Sequence, residues 1–496
     1  MKFSSCSAFT LSAALLIGTT TAHIGHGTPG HVKRASTSSE RHLRYDRRQN
    51  TEQGVASSNN SAALCNASPP NEVFALLKNY PALDTVADIL GNDTQALAIM
   101  QAINATGLIP TDIQPHGSGA ASHQGGGNLQ GGYNYNTDPD CWWTSTTCDT
   151  PKHKGILNDI TTCDEPHTWG YTFDDGPSCQ HNDLYDFWAQ NNQKASLMYI
   201  GSNIMSYPLE AQRGIMDGHH ICVHTWSHQY TTTLTTNQVF AELYYTIKAM
   251  KEVMGITPTC WRPPYGDVDD RVRAIAQSLG LRTYVWNVDT NDWNITPGGP
   301  APTSSIQANY ASIKSTGTSP AAQTGGVVVL DHELTVADMN LAIAEYPSIK
   351  QSWKYIVPLS ACLNVTQPYA EDIIYPNFAD YIGGTVLPSG VPTTPPTISA
   401  VSTVTLQGTL SGMSNLMATA EAGGPQGPVA TSASYTLSNA QNTSGSQAKS
   451  TSTSSSGEAS SDNSNSKSGA QALAWKVPFT LVIGSFSSAL FFVFLF

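Results

Sequence analysis

Between about residues 140 and 380 the chain alternates strand-like apolar runs with stretches of helical periodicity. "TWGYTFD" leads to "HNDLYDFWAQNN", where Leu184, Phe187 and Trp188 share one helical face. "KASLMYIG" follows, and "HHICVH" then leads to the long amphipathic "NQVFAELYYTIKAMKEVMG". "PTCWR" precedes "DDRVRAIAQSLG", "LRTYVWNVD" precedes "SSIQANYASIKS", and "GGVVVLDH" precedes "TVADMNLAIAEYPSIKQ". Repeated strand-then-helix units predict parallel strands, because a parallel pair needs a crossover that a tight hairpin does not supply. The class is therefore α/β, as a β/α barrel or an open wound sheet.

Each predicted strand ends in a polar cluster: Asp174-Asp175, then His224 inside "HTWSH", Arg262 inside "RPPYG", Asp289 inside "DTNDW", and Leu330-Asp331-His332. In parallel β/α folds the carboxyl ends of the strands meet on one face, where active sites are built. Taken singly, "DDGP" reads equally as a turn and "HTWSH" as two ordinary histidines. Five clusters on one face favour chemistry. His224 and His228 are four apart, so a turn of helix would put both imidazoles on one side. With one carboxylate they make a three-ligand site with an open position, as in catalytic zinc centres. Neighbouring side chains on a strand point to opposite faces, so paired aspartates can take two roles, one holding a cation and one taking a proton. The cation offsets their repulsion.

In order, "TFDDGP", "HTWSH", "RPPYG", "DTNDW" and "LDH" resemble the five motifs of the polysaccharide deacetylases, the NodB-homology group or carbohydrate esterase family four, over about residues 160–370. The resemblance implies a distorted β/α barrel with fewer than eight repeats. It implies Asp174 as general base and Asp175, His224 and His228 as metal ligands. Arg262 would orient Asp174, and the Tyr265 backbone N–H would join an oxyanion hole. Asp292 would tune His332, the general acid, while Trp293 packs beside it and Leu330 lines an acetyl pocket. Two histidines and a carboxylate suit zinc first, with cobalt, nickel and manganese also compatible.

The ends of the chain carry addresses. Residues 1–22 read as a secretory signal. Residues 469–496 are small, then apolar with nothing polar after Phe496, the grammar of a GPI attachment signal with Ser468 as attachment residue, Asn465 and Ser466 as close competitors, and an ordinary tail anchor as the alternative reading. Residues 23–139 hold a basic arm, a helical segment with apolar positions Val73, Leu76, Leu77, Val86, Ile89, Leu90, Leu97 and Met100, and a Gly-rich linker. The catalytic domain is expected over 140–384. Residues 385–468, rich in Ser, Thr, Pro and Gly, read as a disordered stalk. Eight cysteines remain after the signal, an even count that fits disulfides, the expected fate of Cys222 also. Glycosylation sequons stand at Asn59, Asn66, Asn92, Asn104, Asn294, Asn364 and Asn442.

A formal net charge of −13 argues against a nucleic-acid partner, which needs basic surface to replace counterions. Together these features place the chain on the outer face of the plasma membrane or in a cell wall. That setting most resembles fungal chitin deacetylases, with chitin or another N-acetylglucosamine polysaccharide as substrate. The alternatives are an esterase of acetylated xylan or another polysaccharide on the same site, and a non-catalytic glycan-binding wall protein.

Overall fold

The structure, a computed structural model, describes residues 64–66, 68–116, 133–295, 302–401, 403, 404 and 406. In chain order the elements used below are α1 (Asn71–Leu77), α2 (Thr94–Ala105), β1 (Thr168–Gly176), α3 (Asn182–Gln190), β2 (Ser196–Tyr199), α4 (Pro208–Met216), β3 (His220–Val223), α5 (Thr236–Ala249), β4 (Cys260–Trp261), α6 (Asp270–Ser278), β5 (Arg282–Thr283), β6 (Val288–Asp289), α7 (Thr303–Gly317), β7 (Val327–His332), α8 (Val336–Ser352) and β8 (Tyr355–Val357). Helices α5 and α8 begin with capping boxes, at Thr235/Gln238 and Thr335/Asp338, which satisfy the free N–H groups of the first turn.

All pairings between these strands are parallel, in the order β5-β4-β3-β2-β1-β7-β6, with β8 also on β1. All nine residues of β1 are buried, as expected for a parallel strand covered on both faces. The sequence "LRTYVWNVD", read above as one strand, is two: β5 pairs with β4 at one edge and β6 with β7 at the other. Six strand spacings of about 4.8 Å would separate those edges by about 29 Å in a flat sheet. Five Cα steps from Thr283 to Val288 span at most about 19 Å. The sheet must therefore curl until its edges approach, which makes it the distorted β/α barrel expected. The three-residue β8 was not read from the sequence.

Two flanking segments join the same core. Val73, Leu76, Tyr80, Ala87, Ile99, Met100 and Ile103 are buried in one cluster with Val239, Leu243 and Ile247 of α5. Of the apolar positions assigned above to a helical segment, Val86, Ile89 and Leu90 lie on non-helical backbone between α1 and α2, although all three pack against the core. Residues 385 onward were assigned to the stalk, yet the described part up to 406 lies on the core. Val404 and Leu406 are buried, the Val401 N–H donates to Glu252, and Gln212 and Gln95 donate to the carbonyls of Pro396 and Val404. A few apolar residues and matched backbone groups outweigh a loop-like composition. The Gly-rich linker, the ends of the chain and the rest of the stalk lie outside the described residues.

The eight described cysteines pair as Cys65–Cys179, Cys141–Cys148, Cys163–Cys362 and Cys222–Cys260.

Candidate active site and metal centre

The paired aspartates end β1 at an irregularity. The register with β2 shifts between Phe173 and Gly176, and Asp175 takes a left-handed backbone, φ 74°. A bulge of this kind re-aims side chains and costs of order 1–3 kcal/mol in a non-glycine residue. Here it cancels strand alternation, so both carboxylates turn to the same place. His224 Nε2 lies 3.7 Å from Asp174 Oδ2 and 3.4 Å from Asp175 Oδ1. The Asp175 carbonyl accepts from the Asn203 amide at 2.9 Å.

Arg262, at the end of β4, is fully buried. Its Nη1 donates to Asp174 Oδ1 at 2.7 Å and to Thr172 Oγ1 at 2.8 Å, and its guanidinium stands 5.8 Å from the Trp286 ring. Asp174 therefore keeps one oxygen bound to a fixed cation and leaves Oδ2 toward the site.

The expected helix under His224 and His228 is absent. Residues 224–228 form an irregular loop after β3, with φ 63° at Thr225 and 53° at His228. The loop nevertheless gathers the same atoms. His224 Nδ1–H donates to the Arg262 carbonyl at 2.9 Å, leaving Nε2 as an acceptor, and His228 Nε2 is 3.0 Å from Asp175 Oδ1. The loop is held by a residue that the sequence reading missed. Glu242 of α5, fully buried, accepts from the N–H groups of Trp226 and Ser227, each at 2.8 Å. The only signal was an acid inside the apolar run "VFAELYY".

The donor atoms of Asp175, His224 and His228 all lie within 4.8 Å of one another. Asp175 Oδ1 is enclosed and faces the Nε2 atoms of His228 and His224 at 3.0 and 3.4 Å. Burial pushes the Asp175 carboxyl up, but His228 and His224 outweigh it and hold it well below the usual carboxylate range. An enclosed, ionised oxygen facing two imidazole Nε2 atoms is costly without a cation, so these residues fit a divalent metal. Two other clusters, His220/Cys222/Cys260 and Asp138/Cys141/Cys148, have their cysteines tied in disulfides.

On β7, Leu330 and His332 share one face, while Asp331 turns to the other and accepts from the Tyr310 hydroxyl at 2.5 Å. His332 is the register partner of Asp174 across β1 and β7. Its Nδ1 is 2.6 Å from Asp292 Oδ1, and its backbone N–H donates to Asp292 Oδ2 at 2.8 Å. Burial lowers the imidazole pKa, yet Asp292 raises it further, leaving His332 well above the ordinary histidine value. Asp289 serves its own loop, accepting from the Asn291 N–H at 2.7 Å, and burial raises it to about 6.

Tyr265 sits in the turn Pro264–Gly266 with φ 59°. Its ring is 45% exposed, stacks on Tyr230 at 3.9 Å and lies 4.7 Å from His228. Trp293, in the turn Asp292–Ile295, is 44% exposed. The sequons at Asn66, Asn92, Asn104 and Asn364 are exposed, and Asn294 is half-buried. Asn59, Asn442 and Ser468 lie outside the described residues. No helix among the described residues is long and apolar enough to cross a membrane.

The family model for polysaccharide deacetylase matches residues 161–284. Chitin deacetylase 2 of Cryptococcus neoformans var. grubii is 44% identical over 380 residues, covering 75% of this chain and 81% of that protein. The chitin deacetylase of Amylomyces rouxii is 48% identical over 252 residues, 51% of this chain and 59% of that one. Among solved structures, the chitin deacetylase of Colletotrichum lindemuthianum aligns with a TM-score of 0.37 at 23% identity, over 42% of this chain and 92% of that one.

Proposed function

The chain belongs to the polysaccharide deacetylase family, and from that premise we propose that it hydrolyses the N-acetyl groups of chitin, leaving glucosamine units and acetate. The observation that carries this reading is the juxtaposition of three elements. A carboxylate locked by a buried arginine and an imidazole locked by a buried aspartate stand beside a His-His-Asp cluster. Relatives named chitin deacetylases support the choice of substrate.

Asp175, His224 and His228 hold the cation, with zinc the first choice for two imidazoles and a carboxylate and cobalt the second. When bound, a divalent ion supplies Lewis acidity toward the acetamide carbonyl and toward water. Asp174 takes the proton of the attacking water, because Arg262 occupies its other oxygen and fixes its aim. The Tyr265 backbone N–H donates to the tetrahedral oxyanion. Leu330, on the His332 face of β7, borders the acetyl methyl, and the exposed rings of Tyr265 and Trp293 meet the sugar. His332 donates its Nε2 proton to the departing amine, while Asp292 holds Nδ1 and keeps the ring charged.

Four disulfides support an oxidising, exported setting, and the signal and GPI grammar of the two ends supports attachment at the outer membrane face or wall. The deciding experiment is acetate release by the purified protein from chitin oligomers and, in parallel, from acetylated xylan. Release from chitin is expected. Release from xylan alone would move the substrate to esters, and release from neither would leave a glycan-binding wall protein on an enzyme's fold.

A further inference from the structure

The loop that carries His224 and His228 has left-handed backbone at Thr225 and His228 and no helical ladder to hold it. Besides Glu242, a second set of contacts reaches it from more than a hundred residues upstream, outside the span of residues 161–284 matched by the family model. The Tyr80 ring stacks on Trp226, the residue midway between the two histidines, at 5.4 Å and 10°. The Trp226 indole N–H donates to the Ala82 carbonyl at 3.0 Å. Asp84 N–H donates to Ser202 Oγ, which in turn donates to the Trp226 carbonyl at 2.7 Å. Ala87 N–H donates to Glu242 Oε1 at 2.7 Å, and the same carboxylate takes the Trp226 and Ser227 amides and the Ser227 hydroxyl.

These contacts reach every side of one residue. Trp226 is held by its ring face, its indole N–H, its amide and its carbonyl, and three of the four anchors are completed by residues 80–84 directly or through Ser202. Tyr80 is itself pinned, its hydroxyl donating to Glu252 at 2.7 Å. A second tie runs from the same upstream region to the other half of the site: Cys65 is bonded to Cys179, four residues after Asp175.

We infer that the segment Tyr80–Ala87, with Glu242, is the positioning brace of the metal centre, setting the separation of His224 and His228 through Trp226. The upstream segment is thus part of the working site and not an attached module. This rests on the reading that Asp175, His224 and His228 hold the cation. Partners behind metal ligands typically change metal affinity by 10- to 100-fold when removed.

The test uses the purified full chain and zinc alone, with affinity read by competition against a chromogenic chelator. Tyr80→Ala is expected to weaken zinc binding about tenfold or more, with Tyr80→Phe, which keeps the ring, close to the parent. Because coupling is reciprocal, zinc added to the unaltered chain must slow hydrogen exchange at the Asp84, Ala87 and Trp226 amides. Parent-like affinity in Tyr80→Ala overturns the brace. If that variant does not fold, exchange at Asp84 and Ala87 that is indifferent to zinc overturns it instead. Retained zinc affinity in His224→Ala, or a parent that binds no zinc, overturns the metal reading and the brace with it.

Discussion

His332 and Asp292 are joined twice, by a 2.6 Å contact from Nδ1 to one carboxylate oxygen and by a 2.8 Å bond from the His332 backbone N–H to the other. The pair fixes the ring, its tautomer and its charge together.

Burial alone would lower the His332 pKa, and the Asp292 charge and contact reverse that. A raised pKa keeps the acid protonated until pH climbs through that value, where activity is lost. Asp292→Asn removes the largest cause of the rise, leaving the smaller contributions of Asp175 and Asp174. Its alkaline limb is expected at lower pH than the parent's, with kcat down about 10²–10⁴-fold. A pH–rate profile with an unmoved alkaline limb would contradict the role given to Asp292.

Arg262 is fully buried, and Asp174 is the carboxylate it bonds. Truncating one partner leaves the other charge uncompensated. Asp174→Ala is expected to lose about 3–5 kcal/mol in urea unfolding. Asp174→Asn keeps an acceptor for Nη1, so it should lose less stability while losing activity as fully. Equal urea midpoints for parent and Asp174→Ala would show that the pair is not the support described.

Gly176 closes β1 against the side chain of Glu333. A Cβ there would stand 1.6 Å from Glu333 Oε1 and 2.9 Å from Tyr199. Glu333 is fully buried, with His181 Nδ1 3.2 Å from one oxygen and the Tyr185 hydroxyl 3.3 Å from the other, so it has little room to yield. Gly176→Ala should cost about 1–3 kcal/mol by overpacking and misplace Asp174 and Asp175. Thermal unfolding and acetate release, measured together, check both effects.

Glu210 of α4 is buried, and burial raises its carboxyl from 4.5 to about 7. The folded chain then binds this proton more tightly than the unfolded chain. The stabilisation is full below about pH 4.5 and is lost as pH rises toward 7, a span worth at most about 3 kcal/mol. Glu210→Gln should flatten that part of the stability–pH curve. An unchanged slope between pH 5 and 7 would assign it to other groups.

The parts legible in the sequence were those set by local pattern. Strand period, helix period and the polar residue ending each strand placed Asp174, Asp175, His224, Arg262 and His332 on one face. What failed depended on distant contacts. A spacing of four suits a helix turn, but it is equally met by a loop with two left-handed residues when Glu242 holds its amides. The break in "LRTYVWNVD" follows from closing the sheet between β4 and β7, which no window of that length contains. Residues 391–406 looked like stalk because Ser, Thr and Pro dominate, yet Val401, Val404 and Leu406 join the core, with Val401 bonded to Glu252 just after α5 and Val404 to Gln95 of α2. Tyr80 showed only as an aromatic in a short polar stretch, since its partner Trp226 is far along the chain.

The central claim is that Asp175, His224 and His228 hold a cation on which Asp174 depends to activate water. The direct measurement is acetate release from chitin oligomers by metal-stripped protein as zinc is restored, run beside His224→Ala and Asp174→Asn. The account predicts activity that returns with about one zinc per chain, no zinc retained by His224→Ala, and zinc bound without turnover by Asp174→Asn. Full release by the stripped protein, or by either variant, would contradict it.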